Sequence, residues 1–153
     1  NTKDSSFHQH YGRDNIVRNN ILAYSRQYQV AITRAEPHRS AVIEGNIIYW
    51  AQPGQALGTP RYRGTEKARV EWHRNLWWCA DGPVDFNGKT LAQWQAEGRD
   101  TDGQVADPLF VDAAAGDFRL RPASPALAAG FVPFDSSEAG VYGDRAWRRR
   151  ARK

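Results

Sequence analysis

The chain has 153 residues, 41% hydrophobic and 25% charged, an ordinary globular composition with room for one modest core. It holds no apolar run of the ~18 residues that a transmembrane helix needs. Its single cysteine, Cys79, excludes an internal disulfide framework and a cysteine-based zinc site. The net charge of +4 is a property of the tail: six of the 21 basic residues are Arg145, Arg148, Arg149, Arg150, Arg152 and Lys153. The remaining 15 face all 17 acidic groups, so residues 1–144 are net acidic by two and do not form a nucleic-acid platform. The chain starts at Asn1 and contains no methionine, which reads as a piece of a longer protein whose signal peptide is not visible.

In chain order, three segments align on an asparagine. Val17 to Tyr24 centres on Asn20, Ile43 to Trp50 on Asn46, and Trp72 to Cys79 on Asn75. A spacing of 26 and then 29 residues is the period of a solenoid. The units are short and rich in Ile, Val, Tyr and Trp, as strands are, and no helix-length apolar pattern separates them. Like residues fall in columns: Val17, Ile43 and Trp72 before the asparagine, Ile21, Ile47 and Leu76 after it, then Leu22, Ile48 and Trp77. Parallel strands stacked ~4.8 Å apart require such columns. The asparagine suits a turn, because it tolerates left-handed backbone, and a stack of asparagines can hydrogen-bond along its length.

Residues 51–68 are rich in Gly, Pro and Arg and read as a long loop leaving the repeat; residues 80–88 read as a second loop. Lys89 to Glu97 places Leu91, Trp94 and Gln95 at helical spacing with Gly98 behind them, which predicts a short helix with Trp94 packed on the solenoid. Phe110, Phe118, Leu120, Leu127 and Phe131 are candidates to cover the open end of the last coil, and Pro108, Pro122 and Pro125 stop strand continuation there.

The ending Asp107-Pro108-Leu109-Phe110, Gly116-Asp117-Phe118-Arg119-Leu120, Ser124-Pro125-Ala126 and Gly130 resembles the end of bacterial right-handed parallel β-helix proteins of the pectate-lyase-like superfamily. The resemblance covers the three coils and the ending, and leaves out the basic tail. It implies an all-β right-handed parallel β-helix, with coils over 1–79 and a loop, short helix and irregular cap over 80–143; the charge run over 144–153 reads by itself as a disordered basic tail, with a nucleic-acid or membrane-surface contact as the alternative. The resemblance also implies further coils before Asn1, whose loss leaves an open edge prone to aggregation. The implied activity is that of a secreted, extracellular or periplasmic carbohydrate-active enzyme, a glycoside hydrolase or a polysaccharide lyase. The alternative is a non-catalytic glycan-binding or structural surface β-helix, since fold alone does not give function.

The candidate chemistry precedes the first two asparagines. His8, His10 and Tyr11 stand before Asn20; Arg34, Glu36 and His38 stand before Asn46. Counted back from each asparagine, Arg34 stacks on His8 and Glu36 on His10. An insertion of two residues would pair His8 with Glu36 and His10 with His38 instead. On a uronic-acid polymer a histidine would serve as base, Arg34 would neutralise the carboxylate and Tyr11 would protonate the leaving oxygen. On a neutral sugar Glu36 would need a second carboxylate ~5–9 Å away: Glu44, Glu71 or one in a preceding coil. Glu71 replaces an apolar residue in the column of Ile16 and Val42, which also makes it a candidate substrate contact. Tyr49, Trp50, Trp72, Trp77 and Trp78 are divided by strand alternation between core and surface; Trp50 and Trp78 are the candidate sugar-stacking platforms. Arg18, Glu44 and His73 form a column that reads as an outward ion ladder. His8, His10, Glu36 and His38 are also conceivable metal ligands without a recognised spacing, so no metal site is assigned. No cofactor is evident; calcium is the candidate ion, because the best-known lyases of this superfamily bind it through aspartates, although this chain does not match that pattern. The partner expected is a polysaccharide or oligosaccharide.

Overall fold

In the computed structural model, residues 3–52, 55–57, 68–136, 143–146 and 149 are described. Twelve short strands and two short helices make up these residues. The first coil is β1 (Ser5–Gln9), β2 (Asn15–Arg18) and β3 (Ile21–Ala23). The second is β4 (Tyr28–Ile32), β5 (Arg39–Glu44) and β6 (Ile47–Trp50). The third is β7 (Gln55–Leu57), β8 (Arg69–His73) and β9 (Leu76–Cys79). Each strand pairs in parallel with its counterpart one coil away, giving sheets β1-β4-β7, β2-β5-β8 and β3-β6-β9-β10, where β10 is Gln104–Val105. The chain is thus a parallel β-solenoid of three coils.

The asparagine alignment gives the register of two sheets. Ile16, Val42 and Glu71 are partners, as are Val17, Ile43 and Trp72, and Leu22, Ile48 and Trp77. The first sheet departs from it. His8 lies opposite Ala31, an offset of 23 residues, whereas β2 and β5 are offset by 26. Three extra residues are taken up in the bend between β4 and β5, so Arg34 does not stack on His8, nor Glu36 on His10. The two-residue alternative fails as well. A second difference lies in residues 51–68: they contain β7, which closes the third coil, rather than only a loop. Residues 53, 54 and 58–67 of that stretch lie outside the described residues, as does most of the tail over 144–153.

Between the second and third sheets each coil turns in two residues. The left-handed residue is the one before the ladder asparagine: Asn19 at φ 54°, Gly45 at 58° and Arg74 at 50°. The ladder asparagines therefore do not supply the left-handed backbone expected of them; they supply hydrogen bonds. The Asn20 N–H donates to Asn46 Oδ1 at 3.0 Å, and the Asn46 N–H to Asn75 Oδ1 at 3.1 Å. The side-chain amides repeat the step, at 3.2 and 3.0 Å. Asn46 and Asn75 also donate to the carbonyls of Val17 and Ile43, both at 2.9 Å. Both asparagines are 1% exposed, so the ladder satisfies groups that water does not reach.

The interior holds Val30, Ile43, Ile48, Trp50, Leu57, Trp72 and Trp77. Its far end is closed by Phe86 and by Trp94 of helix α1 (Leu91–Ala96), whose rings stack at 5.7 Å. Thr90 and Gln93 form a capping box at the start of α1, and the Gly98 N–H closes its end on the Gln95 carbonyl at 2.8 Å. The segment after Ala106 has a different task from the one expected of it. The hairpin of β11 (Phe110–Asp112) and β12 (Asp117–Leu120), with helix α2 (Pro125–Ala128), lies on the outward face of the third sheet. Phe110, Phe118, Leu120 and Phe131 there cover Ile21, Ile47, Leu76 and Tyr49. An outward column of Ile, Ile and Leu needs such a cover.

Candidate functional site

Alternation along β1 puts Phe7 against the core, so His8 and His10 project from the opposite, outward face. The 23-residue offset brings Thr33 beside them. His8 Nε2 lies 3.0 Å from Thr33 Oγ1, and His10 Nδ1 lies 2.9 Å from the same oxygen. Tyr11 packs edge-on to His10, with ring centroids 4.9 Å apart. The Arg34 guanidinium sits 5.9 Å from the Tyr11 ring centroid. Asp4, Ser5, His8, His10, Tyr28, Ala31, Thr33 and Arg34 line an open groove of about 290 Å³ on this face. Thr33, Asp4 and Tyr28 were not candidates from the sequence. Only the offset between β1 and β4 could have revealed them, and the bend hides it.

Glu36 and His38 form a second group, on the bend rather than in the groove. The Gly12 N–H donates to Glu36 Oε2 at 3.4 Å. His38 Nε2 lies 3.3 Å from that carboxylate oxygen and 3.2 Å from the Gly12 carbonyl. Both neighbours are acceptors, so His38 Nε2 carries a hydrogen and donates. These residues tie the bend between β4 and β5 to the turn after β1.

The other candidates are dispersed. Glu71 is an exposed member of an ion chain on the second sheet: Arg39 reaches it at 3.1 Å and Asp14 at 2.8 Å. Glu44 takes Arg74 and, at 4.0 Å, Arg18, so the Arg18, Glu44 and His73 column is an outward charged face. Neither carboxylate lines the groove, and neither does Glu36, whose hydrolytic partner one of them was a candidate to be. Trp50 is 1% exposed in the core and offers no ring face to a sugar. Trp78 is half-buried beside Tyr49 on the third sheet, away from the histidines. Among the described residues no three His, Cys, Asp or Glu side chains gather in a metal-holding group. None of their helices is long and apolar enough to cross a membrane.

One buried ionisable group escaped the sequence reading. Asp100 is fully buried and forms the fourth rung of the asparagine ladder. Its Oδ1 accepts from the Asn75 N–H and side-chain amide, both at 3.3 Å, and its Oδ2 accepts from Trp77 Nε1–H at 2.8 Å. Burial pushes this carboxyl above the usual carboxylate range, and the bonds from Trp77 and Asn75 oppose the rise. Gly103 packs so closely that a Cβ there would stand 2.5 Å from the carboxylate. Asp100 follows Asn75 by 25 residues, near the repeat period, but as Asp behind a helix it breaks the column pattern. No family model, curated protein or solved structure matches the chain.

Proposed function

We propose that the outward face of the first sheet binds and cleaves an acidic polysaccharide, and that the chain is the C-terminal part of an enzyme of the pectate-lyase-like superfamily acting outside the cytoplasm. The observation that carries this reading is the convergence of His8, His10 and Arg34 in one open groove, around the Thr33 hydroxyl. An open groove along stacked strands suits an extended polymer, which needs no lid. Arg34 supplies a fixed cation for the sugar carboxylate, whose neutralisation makes the neighbouring proton acidic. A histidine takes that proton, its electron pair forms the carbon–carbon double bond, and the glycosidic C–O bond breaks with protonation of the leaving oxygen. Elimination is favoured over hydrolysis because Glu44 and Glu71, the carboxylates expected to assist Glu36, are engaged in ion pairs on another sheet.

The test is incubation with a panel of acidic and neutral polysaccharides, reading both new reducing ends and the ultraviolet absorbance of the conjugated double bond. Both signals, lost in Arg34→Ala and in the double variant His8→Ala/His10→Ala, are expected. Reducing ends without absorbance would replace elimination by hydrolysis. Neither signal with a folded protein would overturn catalysis in favour of a glycan-binding or structural solenoid.

A further inference from the structure

Thr33 offers one hydroxyl to two imidazoles. A hydroxyl has one proton to donate and lone pairs to accept. With both rings neutral, the hydroxyl can donate to one ring nitrogen and accept N–H from the other; accepting N–H from both is the arrangement that would leave the rings unlinked. The contacts involve different nitrogens: Nε2 of His8, at 3.0 Å, and Nδ1 of His10, at 2.9 Å. The donate-and-accept arrangement sets the remaining nitrogens in opposite states. If Thr33 donates to His8 Nε2, then His8 Nδ1 carries a hydrogen, while His10 donates through Nδ1 and its Nε2 is a free base. If the hydroxyl is reversed, His8 Nδ1 becomes the base and His10 Nε2 carries the hydrogen.

We propose that Thr33 is the positioning residue of this groove, holding His8 and His10 as a linked base and acid across which a proton is relayed. The inference rests on the acidic-polysaccharide reading for its substrate but not for its hydrogen bonding. The proton balance closes. A proton taken from substrate carbon by His10 Nε2 releases the Nδ1 proton to Thr33 Oγ1. The Thr33 proton passes to His8 Nε2, and His8 Nδ1–H protonates the leaving oxygen. One proton enters and one leaves, the threonine ends as a neutral hydroxyl, and both rings switch from the Nδ1–H to the Nε2–H tautomer. Proton exchange with water then returns them to the starting pair. In this scheme a histidine takes over the donor role that Tyr11 was expected to fill. Tyr11, edge-on to His10, holds that ring in place.

The experiment is a nitrogen–proton correlation spectrum of ¹⁵N-histidine-labelled protein at a pH where the rings are neutral, recorded for wild type, Thr33→Ser and Thr33→Val. In wild type, His8 and His10 should show the same tautomer, with both hydrogens on Nδ1 or both on Nε2, because they contact the hydroxyl through different nitrogens. Thr33→Ser should keep the pattern, and Thr33→Val should return both rings to the tautomer mixture of a free imidazole. On a responsive polysaccharide, Thr33→Val should lower turnover by about 10²-fold, the low end of what positioned acid–base catalysis contributes, and Thr33→Ser should recover most of it. Free-imidazole mixtures at both rings in wild type would overturn the proposal, as would opposite tautomers, which mean that both rings donate to Thr33, or a Thr33→Val spectrum identical to wild type. If Thr33→Val fails to fold, the wild-type and Thr33→Ser spectra decide. Matching tautomers without activity on any polysaccharide would leave the positioning role standing and remove the proposed substrate.

Discussion

Replacing Asp100 by asparagine tests why the ladder ends on a carboxylate. Asp100→Asn keeps shape and continues the residue type of the three rungs below, so by ladder logic alone it would be harmless. The structure argues otherwise. Asp100 must accept on both oxygens, from Asn75 on one side and from Trp77 Nε1–H at 2.8 Å on the other. An amide has one oxygen, so one buried donor then faces NH₂. A buried unsatisfied donor costs about 1–3 kcal/mol, and a bond to a charged acceptor is worth about 1.5–3 kcal/mol. Relief from burying a charge offsets part of this, leaving an expected loss of about 2 kcal/mol. In urea that moves the unfolding midpoint down by about 1 M at constant slope. Trp77→Phe removes the competing donor, so in Trp77→Phe/Asp100→Asn the amide oxygen can turn wholly to Asn75. The double variant should then lose less than the sum of the singles, by about 1–2 kcal/mol. A midpoint for Asp100→Asn equal to wild type, or singles that add within about 0.4 kcal/mol, would refute the reasoning.

The rungs should differ in cost, read by the same unfolding curves: Asn46→Ala orphans the Asn20 N–H and the Val17 carbonyl and should lose about 2–4 kcal/mol, whereas Asn20→Ala, at an exposed rung, should lose under about 1 kcal/mol. Gly103→Ala forces a Cβ into the Asp100 carboxylate and should cost about 1–3 kcal/mol by the same curves. Trp94→Ala opens the closed end of the core and should cost about 3–5 kcal/mol by thermal or urea unfolding. Tyr49 titrates at about 12, pushed up chiefly by burial and by Tyr24. The unfolded chain ionises this phenol first, near its ordinary value, so stability should fall from about pH 10 to about pH 12, and Tyr49→Phe should flatten that decline.

The sequence by itself determined the solenoid and two of its three sheets. Asn20, Asn46 and Asn75 stand at a near-constant period because each must hydrogen-bond to the next coil, and the residues beside them follow the strand pairing strictly. The helix was legible for a similar reason: Leu91, Trp94, Gln95 and Gly98 act within a few residues of one another, and local geometry is written locally. Tertiary structure decided the rest. The β4–β5 bend absorbs three extra residues at no cost to the pairing of β2 with β5, so the register of the first sheet, and with it the meeting of His8, His10 and Thr33, could not be counted back from Asn46. Aromatic residues at 110–131 announce burial but not against which surface; only the exposed column of Ile21, Ile47 and Leu76 selects the lateral face over the open end. Asp100 joins the ladder through Trp77, a donor whose direction depends on how the third coil packs.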